Sequence, residues 1–306
     1  MLIYESKKSY EKKVVTVGMC ALNAEKIIAD AIISINNQDF PKELMEFIFV
    51  DDGSTDNTLK LVLKCVKKMD VSVKIFSNEW KGLGPSRNII FQESEGKYIV
   101  WIDADQIIPG NMINILVNFM NNNEKVGISK GIRGIINKST SVATLEMMYH
   151  QTAQLLDLKQ VKKPLGTGGS IYRKQALSEI NGFDKTIKNV GEDIEAEYRI
   201  LLKGWLLKRV ISATYYEKCR STWKELWIEY CWHGKGSRII NKKELQIHSE
   251  LNNKFLPFLL IRDEMTRTLV AYQITKKKLA FLLPFHWLFK RIAWIYGYIQ
   301  SEKVMY

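Results

Sequence analysis

Apolar and polar positions alternate in blocks along the first third of the chain. Four short apolar runs predict buried strands, at Val14–Met19, Phe47–Val50, Val71–Phe76 and Tyr98–Ile102. Three intervening segments have apolar residues at helical spacing, over residues 24–37, 57–68 and 87–95. Because strand alternates with helix, we expect an α/β fold with a doubly wound, mostly parallel sheet flanked by helices.

The pattern becomes less regular further along the chain. It predicts helices over residues 111–121, 141–158 and 192–203, and extended segments over 126–136 and 165–172. Beyond residue 220, Trp223, Trp227 and Tyr230 recur at helical spacing and form one aromatic face. We therefore expect an α-helical C-terminal region that is rich in aromatic and basic residues.

Carboxylates follow two of the predicted strands. Asp51 and Asp52 come directly after the second strand, and Asp103 and Asp105 come after the fourth. The carboxyl ends of parallel strands meet at one edge of a sheet, where ligands bind. Alternating carboxylates can share a hard cation such as Mg²⁺ or Mn²⁺, which would bridge a nucleotide diphosphate. Taken singly, each pair also fits an ordinary turn or helix cap.

Two further segments carry candidate chemistry. Glu192 and Asp193 open a helix, where a carboxylate can act as a general base or simply complement the helix dipole. The stretch 232–238, with its glycines and cations, would suit a phosphate or form a basic surface loop. The chain has no G-x-G-x-x-G after its first strand and no G-x-x-x-x-G-K-[ST], which removes the main support for dinucleotide and P-loop sites.

The order and spacing of these pieces resemble inverting family 2 glycosyltransferases of the GT-A fold, over about residues 13–240. The matching stretches are Val14–Glu25, Phe49–Asp56, Gly84–Asn88, Ile102–Asp105, Gly182–Asp184 and Glu192–Asp193. The resemblance implies an enzyme that moves a sugar from a nucleotide-diphosphate sugar to a hydroxyl or phosphate on a glycan or lipid-linked acceptor. Residues 232–238 differ from the Q-x-x-R-W sequence of processive synthases, which favours a single transfer.

The resemblance also implies roles for individual residues. Asp193 would be the catalytic base, and Asp105 the principal metal ligand. Asp103 would contact either the metal or the ribose, while His233 would complete the metal shell or serve a stacking or core role. The donor nucleotide would contact residues Ala21, Asn23, Glu25, Asp51, Asp52, Arg87, Asp103 and Arg238. The transferred sugar and the acceptor would lie against Gly168, Gly169, Glu192 and Trp232.

Charge is distributed unevenly along the chain. The formal net charge is +12, and residues 201–306 carry 19 basic and 8 acidic residues, a net of +11. Leu279–Ile299 is apolar and aromatic, but Lys290 and Arg291 interrupt it, which disfavours a simple membrane span. We expect this segment either to dock on an anionic membrane surface or to pack within the protein or against a second subunit.

These observations define a provisional organisation. We expect an N-terminal extension over residues 1–13, a GT-A domain over 14–240 and a helical C-terminal region over 241–306. The N-terminus lacks the apolar core of a signal peptide, so we expect a cytoplasmic protein, peripheral on the cytoplasmic face of a membrane. A nucleotidyltransferase of similar fold, or a non-enzymatic basic adaptor that binds membranes or nucleic acid, remains as an alternative. For the enzyme we expect no nucleic-acid partner, and the sequence leaves the oligomeric state open.

Overall fold

The computed structural model describes residues 1–8, 11–135, 140–157, 164–187, 190–242 and 257–300. The chain divides into two compact units. The first contains the described residues of Met1–Arg133 and Gln160–Glu217, and the second those of Gly134–Lys159 and Lys218–Tyr306.

The described residues of the first unit form a sheet of nine strands. Its strands are β1 (Leu2–Ser6), β2 (Val15–Ala21), β3 (Met45–Asp51), β4 (Ser72–Ser77), β5 (Tyr98–Trp101), β6 (Gln106–Ile107), β7 (Val126–Ile135), β8 (Ser170–Arg173) and β9 (Leu206–Glu217). Their spatial order is β1-β4-β3-β2-β5-β8-β7-β9-β6. Strands β4, β3, β2 and β5 are parallel neighbours, whereas β1 and β8 flank them in antiparallel orientation. The parallel strands are those that the apolar runs predicted.

Helices cover both faces of this sheet. They are α1 (Ile28–Asn36), α2 (Thr58–Val66), α3 (Leu83–Glu93), α4 (Met112–Asn121), α6 (Lys174–Ser178) and α7 (Glu192–Leu202), and α5 (Ser141–Asp157) belongs to the second unit. A short 3₁₀ turn spans Lys42–Leu44. Successive side chains of a strand point to opposite faces of the sheet. On β3, Phe47 and Phe49 therefore join the apolar cluster with α1, α2 and α4, and Ile48 and Val50 join the cluster with α3, α6 and α7.

The second unit is helical. Besides α5 it contains α8 (Trp223–Lys242), α9 (Pro257–Thr275), a 3₁₀ turn at Lys278–Leu282 and α10 (Leu283–Gln300). Trp223 and Trp227 pack on Phe289 of α10, with ring centroids 4.8 and 5.5 Å apart. Within the part of the chain that the structure describes, no helix is both long and apolar enough to cross a membrane.

Lys290, which interrupts the apolar segment Leu279–Ile299, points into the second unit. Only 2% of Lys290 is exposed, and its Nζ lies 2.8 Å from Oε1 of Glu146 on α5. His286 and His150 also contact the Glu146 carboxylate, at 2.9 and 3.1 Å. The cation therefore belongs to a buried polar cluster of the helical unit, and the outward face of α10 carries apolar residues.

Three features differ from the sequence-based expectation. Leu2–Ser6, within the expected N-terminal extension, is a strand that pairs with β4. Leu206–Glu217 forms a long strand that the apolar pattern did not indicate, because its buried residues, Leu207, Val210, Ala213 and Tyr215, are irregularly spaced between exposed or half-buried ones. Residues 232–238, expected as a phosphate-binding or surface loop, lie within α8.

The glycines of this stretch serve helix packing. A Cβ at Gly234 would overlap the Trp294 carbonyl of α10, and one at Gly297 would overlap the Cys231 carbonyl of α8. Because these two residues have no side chain, the backbones of α8 and α10 can approach each other closely.

Candidate active site

The two aspartates after β3 have different surroundings. Asp52 is 4% exposed, and its carboxylate accepts hydrogen bonds from the backbone of Lys81 and Gly82 and from Ser86 Oγ, at 2.8–3.0 Å. It therefore anchors the start of α3. Asp51 is 2% exposed, and its Oδ2 accepts a bond from Ser54 N at 3.3 Å. Its Oδ1 is buried and has no hydrogen-bond partner among the described residues.

Three other predicted donor contacts lie in the adjoining turns. Asn23 has a φ of 53°, and its Oδ1 accepts a hydrogen bond from Thr55 N at 2.8 Å. Glu25 Oε2 accepts two bonds from Asn57, at 3.0 and 3.1 Å. Ala21 is buried at the end of β2. The side chains of Asn23 and Glu25 thus join the turn after β2 to the turn after β3, beside the Asp51 carboxylate.

Asp103 and Asp105 follow β5 at the same edge of the sheet. The Asp103 side chain is 46% exposed; its Oδ1 lies 3.7 Å from Arg87 Nη2, and its Oδ2 lies 3.5 Å from Gln106 Nε2. Partial removal from water raises the pKa of Asp103, the Arg87 charge opposes this rise, and Glu217 and Asp193 add to it. Asp105 is half-buried on the following turn. Asp103 is therefore close enough to Asp193, the predicted base, for the two charges to interact.

Arg87 and Glu192 form a buried ion pair between α3 and α7. Arg87 is 5% exposed and Glu192 is 1% exposed, and Nη1 of the arginine contacts Oε1 of the glutamate. The guanidinium also lies 5.9 Å from the Trp101 ring centroid. Glu192, which was predicted to contact the sugar, is thus enclosed by protein. It holds the Arg87 guanidinium in place, and that guanidinium also lies near Asp103.

A glycine-rich loop, Leu165–Gly169, lies between the carboxylates of Asp103 and Asp193. Thr167 donates from N and from Oγ1 to Asp193 Oδ2, at 3.3 and 3.4 Å. A Cβ at Gly168 would overlap both Asp103 Oδ2 and Gln106 Nε2. Gly169 has a φ of 73° and lies against the Tyr215 ring. Position 168 therefore has room only for glycine, because any side chain there would collide with Asp103, a candidate metal ligand.

Asp193 lies in the first turn of α7, after Gly191 with a φ of 103°. Its side chain is half-buried, so part of it is accessible, and its Oδ1 accepts a bond from Ile194 N at 2.8 Å. The same end of the helix carries the positive pole of the helix dipole, which stabilises a carboxylate. Its accessible position near Asp103 suits a group that takes a proton from a bound acceptor.

Several polar residues around this loop were not predicted from the sequence. Glu197, one helical turn after Asp193, is fully buried and accepts a hydrogen bond from Tyr172 Oη at 2.5 Å. Lys130 on β7 donates to the carbonyls of Leu165 and Gly166, at 2.7 and 3.3 Å. The i, i+4 spacing of Asp193 and Glu197 was a signal that both side chains lie on one face of the helix.

Three predicted site residues belong to α8 in the second unit. Trp232 is 40% exposed, and His233 Nε2 lies 3.8 Å from Glu229 Oε1. Arg238 Nη1 donates to the Tyr298 carbonyl at 3.1 Å. Their roles toward donor, acceptor and metal stay predictions.

The residues at the sheet edge fit a divalent cation that is shared with a phosphate ligand. Within the described ranges, no group of three or more His, Cys, Asp or Glu side chains could hold an ion by itself. Mg²⁺ is commonly bound by one or two carboxylates together with phosphate oxygens of the substrate. Asp103 and Asp105, two residues apart on a partly exposed turn, supply carboxylates of this kind.

The chain matches other proteins in sequence and in fold. A poly(ribitol-phosphate) beta-N-acetylglucosaminyltransferase, TarS of Staphylococcus aureus, is 28% identical over 43% of this chain and 22% of its own length. The probable glycosyltransferase YdaM of Bacillus subtilis is 28% identical over 80% of this chain and 60% of its own length. The chain therefore spans about a fifth to three fifths of the length of these curated relatives.

The fold matches a solved structure of the mannosyltransferase PcManGT from Pyrobaculum calidifontis in complex with GDP-Man and Mn²⁺. The TM-score is 0.68 at 15% identity, over 98% of this chain and 90% of that one. This likeness confirms the predicted GT-A fold. The model of the Glycosyl transferase family 2 matches residues 16–180, more than half of the chain. This chain, with its GT-A sheet and the acidic residues at its carboxyl edge, belongs to glycosyl transferase family 2.

Proposed function

We propose that the protein is an inverting glycosyltransferase that moves a sugar from a nucleotide-diphosphate sugar onto a hydroxyl or phosphate acceptor. One observation carries the proposal: the loop Leu165–Gly169 contacts the Asp193 carboxylate through Thr167 and the Asp103 carboxylate through Gly168. The proposed base, Asp193, and the carboxylate expected to face the diphosphate, Asp103, therefore lie on either side of one loop. That arrangement suits displacement at a sugar carbon whose leaving group is a diphosphate.

The donor would lie along the carboxyl ends of β2, β3 and β5. The buried, unpartnered Oδ1 of Asp51 suits an N–H group of the nucleobase, because an unpaired buried acceptor is costly until a ligand satisfies it. Asp105 and Asp103 would hold Mg²⁺ or Mn²⁺, which when bound neutralises charge on the departing diphosphate. Arg87, fixed by Glu192, would place a positive charge beside Asp103.

Asp193 would act on the acceptor. It takes the acceptor proton as the acceptor oxygen attacks the anomeric carbon, and the bond between that carbon and the diphosphate oxygen breaks. Because attack and departure occur on opposite sides of the carbon, the anomeric configuration inverts. Thr167, which donates to Asp193 Oδ2, orients the carboxylate for this proton transfer.

Two variants test this assignment. Asp193→Asn should keep donor binding and lose roughly 10²-fold or more of turnover, since general-base catalysis contributes about that much. Asp105→Ala should lose the Mn²⁺-dependent part of donor binding. UDP-GlcNAc and GDP-mannose are suitable probes, with binding followed by calorimetry and hydrolysis by release of nucleotide. Asp39→Asn, at an exposed position, is the matched control. Near-wild-type turnover by Asp193→Asn would refute the base.

We further propose a lipid-linked acceptor at an anionic membrane surface. The outward face of α10 exposes five large apolar residues at helical spacing, namely Phe285, Leu288, Ile292, Ile295 and Ile299. Phe285 is 69% exposed. Three consecutive exposed lysines, Lys276–Lys278, precede this helix. An apolar helix face beside clustered cations is typical of a segment that lies in the interface of an anionic bilayer.

Vesicle sedimentation tests the membrane proposal. We expect binding to vesicles that contain phosphatidylglycerol, weaker binding to pure phosphatidylcholine, and loss of binding in Ile292→Glu. Gln273→Glu on α9 adds the same charge at an exposed polar position and should leave binding intact. Failure of the wild type to bind either vesicle, or a dimer that Ile292→Glu dissociates, would refute membrane docking.

A further inference from the structure

Glu197 is a buried acid that the transfer mechanism above does not use. It lies on α7 one turn after Asp193, and none of its surface is exposed. A carboxyl group this deep in a protein is costly unless hydrogen bonds satisfy it. Two do so: Tyr172 Oη donates to Oε1 at 2.5 Å, and the Leu165 backbone N–H donates to Oε2.

We propose that Glu197 is a positioning residue for sugar transfer: by holding Leu165 it fixes the glycine-rich loop that orients Asp193. This inference rests on the proposed function for its catalytic meaning. It goes beyond that function because it assigns a role to a carboxyl group that contacts neither donor nor acceptor.

The anchoring of the loop supports this role. Glu197 holds the Leu165 N–H, and Lys130 holds the carbonyls of Leu165 and Gly166. At the far end, Gly169 N donates to the Trp101 carbonyl at 2.9 Å. Thr167, between these anchors, is the residue that binds Asp193. Releasing the first anchor would therefore let Thr167 move and leave the Asp193 carboxylate less well oriented.

Charge gives the arrangement a second consequence. Burial raises the pKa of Glu197 to about 7, and the Asp193 charge adds to the rise, whereas the bonds from Tyr172 and Leu165 and the charge of Lys130 oppose it. Glu197 therefore ionises near neutral pH. Above about pH 7 a second negative charge therefore lies one turn from Asp193 and attracts the proton that Asp193 accepts from the acceptor, so turnover should rise with pH through about 7.

Two substitutions separate the anchor from the charge. Glu197→Leu removes both hydrogen bonds and leaves the Leu165 N–H and the Tyr172 hydroxyl without their partner. Glu197→Gln keeps a carbonyl for Leu165 and an N–H for the Tyr172 oxygen, so it reproduces the neutral carboxyl. Glu195→Gln is the matched control, because Glu195 is a buried glutamate of the same helix, 4% exposed, that pairs with Arg199 at 2.6 Å.

Hydrogen exchange followed by mass spectrometry tests the anchor without any substrate. We expect Glu197→Leu to speed exchange of the amides at residues 165–169 by about tenfold or more at pH 7, since a lost buried hydrogen bond opens the segment locally. Glu197→Gln and Glu195→Gln should leave exchange in this loop within about twofold of wild type. Unchanged loop exchange in Glu197→Leu would overturn the proposal, whatever its turnover.

Turnover of UDP-GlcNAc or GDP-mannose tests the catalytic meaning. Glu197→Leu should lower kcat by about tenfold or more while the Kd for the donor stays within about threefold, because the loop orients the base and not the nucleotide. In Glu197→Gln the rise of kcat through pH 7 should disappear. Faster loop exchange with wild-type kcat would overturn the positioning role. If Asp193→Asn kept turnover while Glu197→Leu lost it, the proposed base would fail and the loop anchor would stand.

Discussion

Replacing Lys290 by Met should destabilise the helical unit, and by less at pH 5 than at pH 8. The substitution keeps the length of the side chain but removes the ammonium that lies 2.8 Å from Glu146 Oε1. Glu146 is 3% exposed, so its carboxylate would remain buried without its strongest partner. Burial alone would raise the pKa of Glu146, but Lys290, His150 and His286 hold it well below its ordinary value.

The expected loss of unfolding free energy depends on which partners of Glu146 remain after the substitution. Removing one member of a buried ion pair costs about 3–5 kcal/mol of unfolding free energy. His286 and His150 still contact Glu146, at 2.9 and 3.1 Å, so we expect the lower end, about 3 kcal/mol at pH 7. Burial also lowers the pKa of Lys290 despite the neighbouring carboxylate. Part of the attraction between Lys290 and Glu146 is therefore spent on offsetting the cost of burying the two charges. Glu146→Leu combined with Lys290→Met should therefore recover much of the loss.

Urea unfolding, followed by tryptophan fluorescence between pH 5 and 8, measures these changes. In the wild type the lowered pKa of Glu146 contributes stability that is fully present above the ordinary glutamate pKa, which lies below pH 5, so this contribution stays constant between pH 5 and 8. In Lys290→Met burial raises that pKa, so the variant's deficit should shrink toward pH 5. Lys277→Met, at an exposed position, should change stability by less than about 0.5 kcal/mol. A loss no larger than this control, or one that grows on acidification, would refute the reasoning.

Two further changes test the helix crossing and the donor site. Gly297→Val should destabilise the protein by about 3 kcal/mol or more in thermal unfolding, because its side chain would overlap the Cys231 carbonyl at the crossing of α8 and α10; wild-type stability would show that the helices cross less closely. Asp51→Asn should weaken nucleotide binding about tenfold in calorimetry, because Oδ1 would no longer offer a charged acceptor, and an unchanged Kd would exclude Asp51 from the nucleobase site.

Much of the parallel sheet could be predicted from the sequence. The apolar runs that became β2, β3, β4 and β5 are buried on both faces, and such strands give nearly continuous hydrophobic segments. Leu206–Glu217 escaped prediction because its exposed residues interrupt the apolar pattern. The helical state of residues 232–238 was also missed, because glycine has low helix propensity and only packing against α10 explains Gly234.

For the candidate site, the sequence indicated which acidic residues to consider but not which contacts each of them makes. The positions of Asp51 and Asp103 after two predicted strands indicated carboxylates at one edge of the sheet, and the structure also brings Asp193 within electrostatic reach of Asp103. Which of two adjacent acids is available depends on contacts from distant segments. Asp52 binds the start of α3 and Glu192 binds Arg87, whereas Asp51 keeps a buried oxygen without a partner among the described residues.

By itself the sequence determined the alternation of strand and helix, the family, and the acidic edge, because these depend on local periodicity and on motifs that lie within a few residues. Only the tertiary structure decided what the buried charges do. Lys290 became the partner of a carboxylate 144 residues away, and Glu197 became the anchor of a loop 32 residues before it. A charged side chain in an apolar segment has the same local pattern whether it faces lipid, water or a buried partner, and only the packed chain supplies that partner.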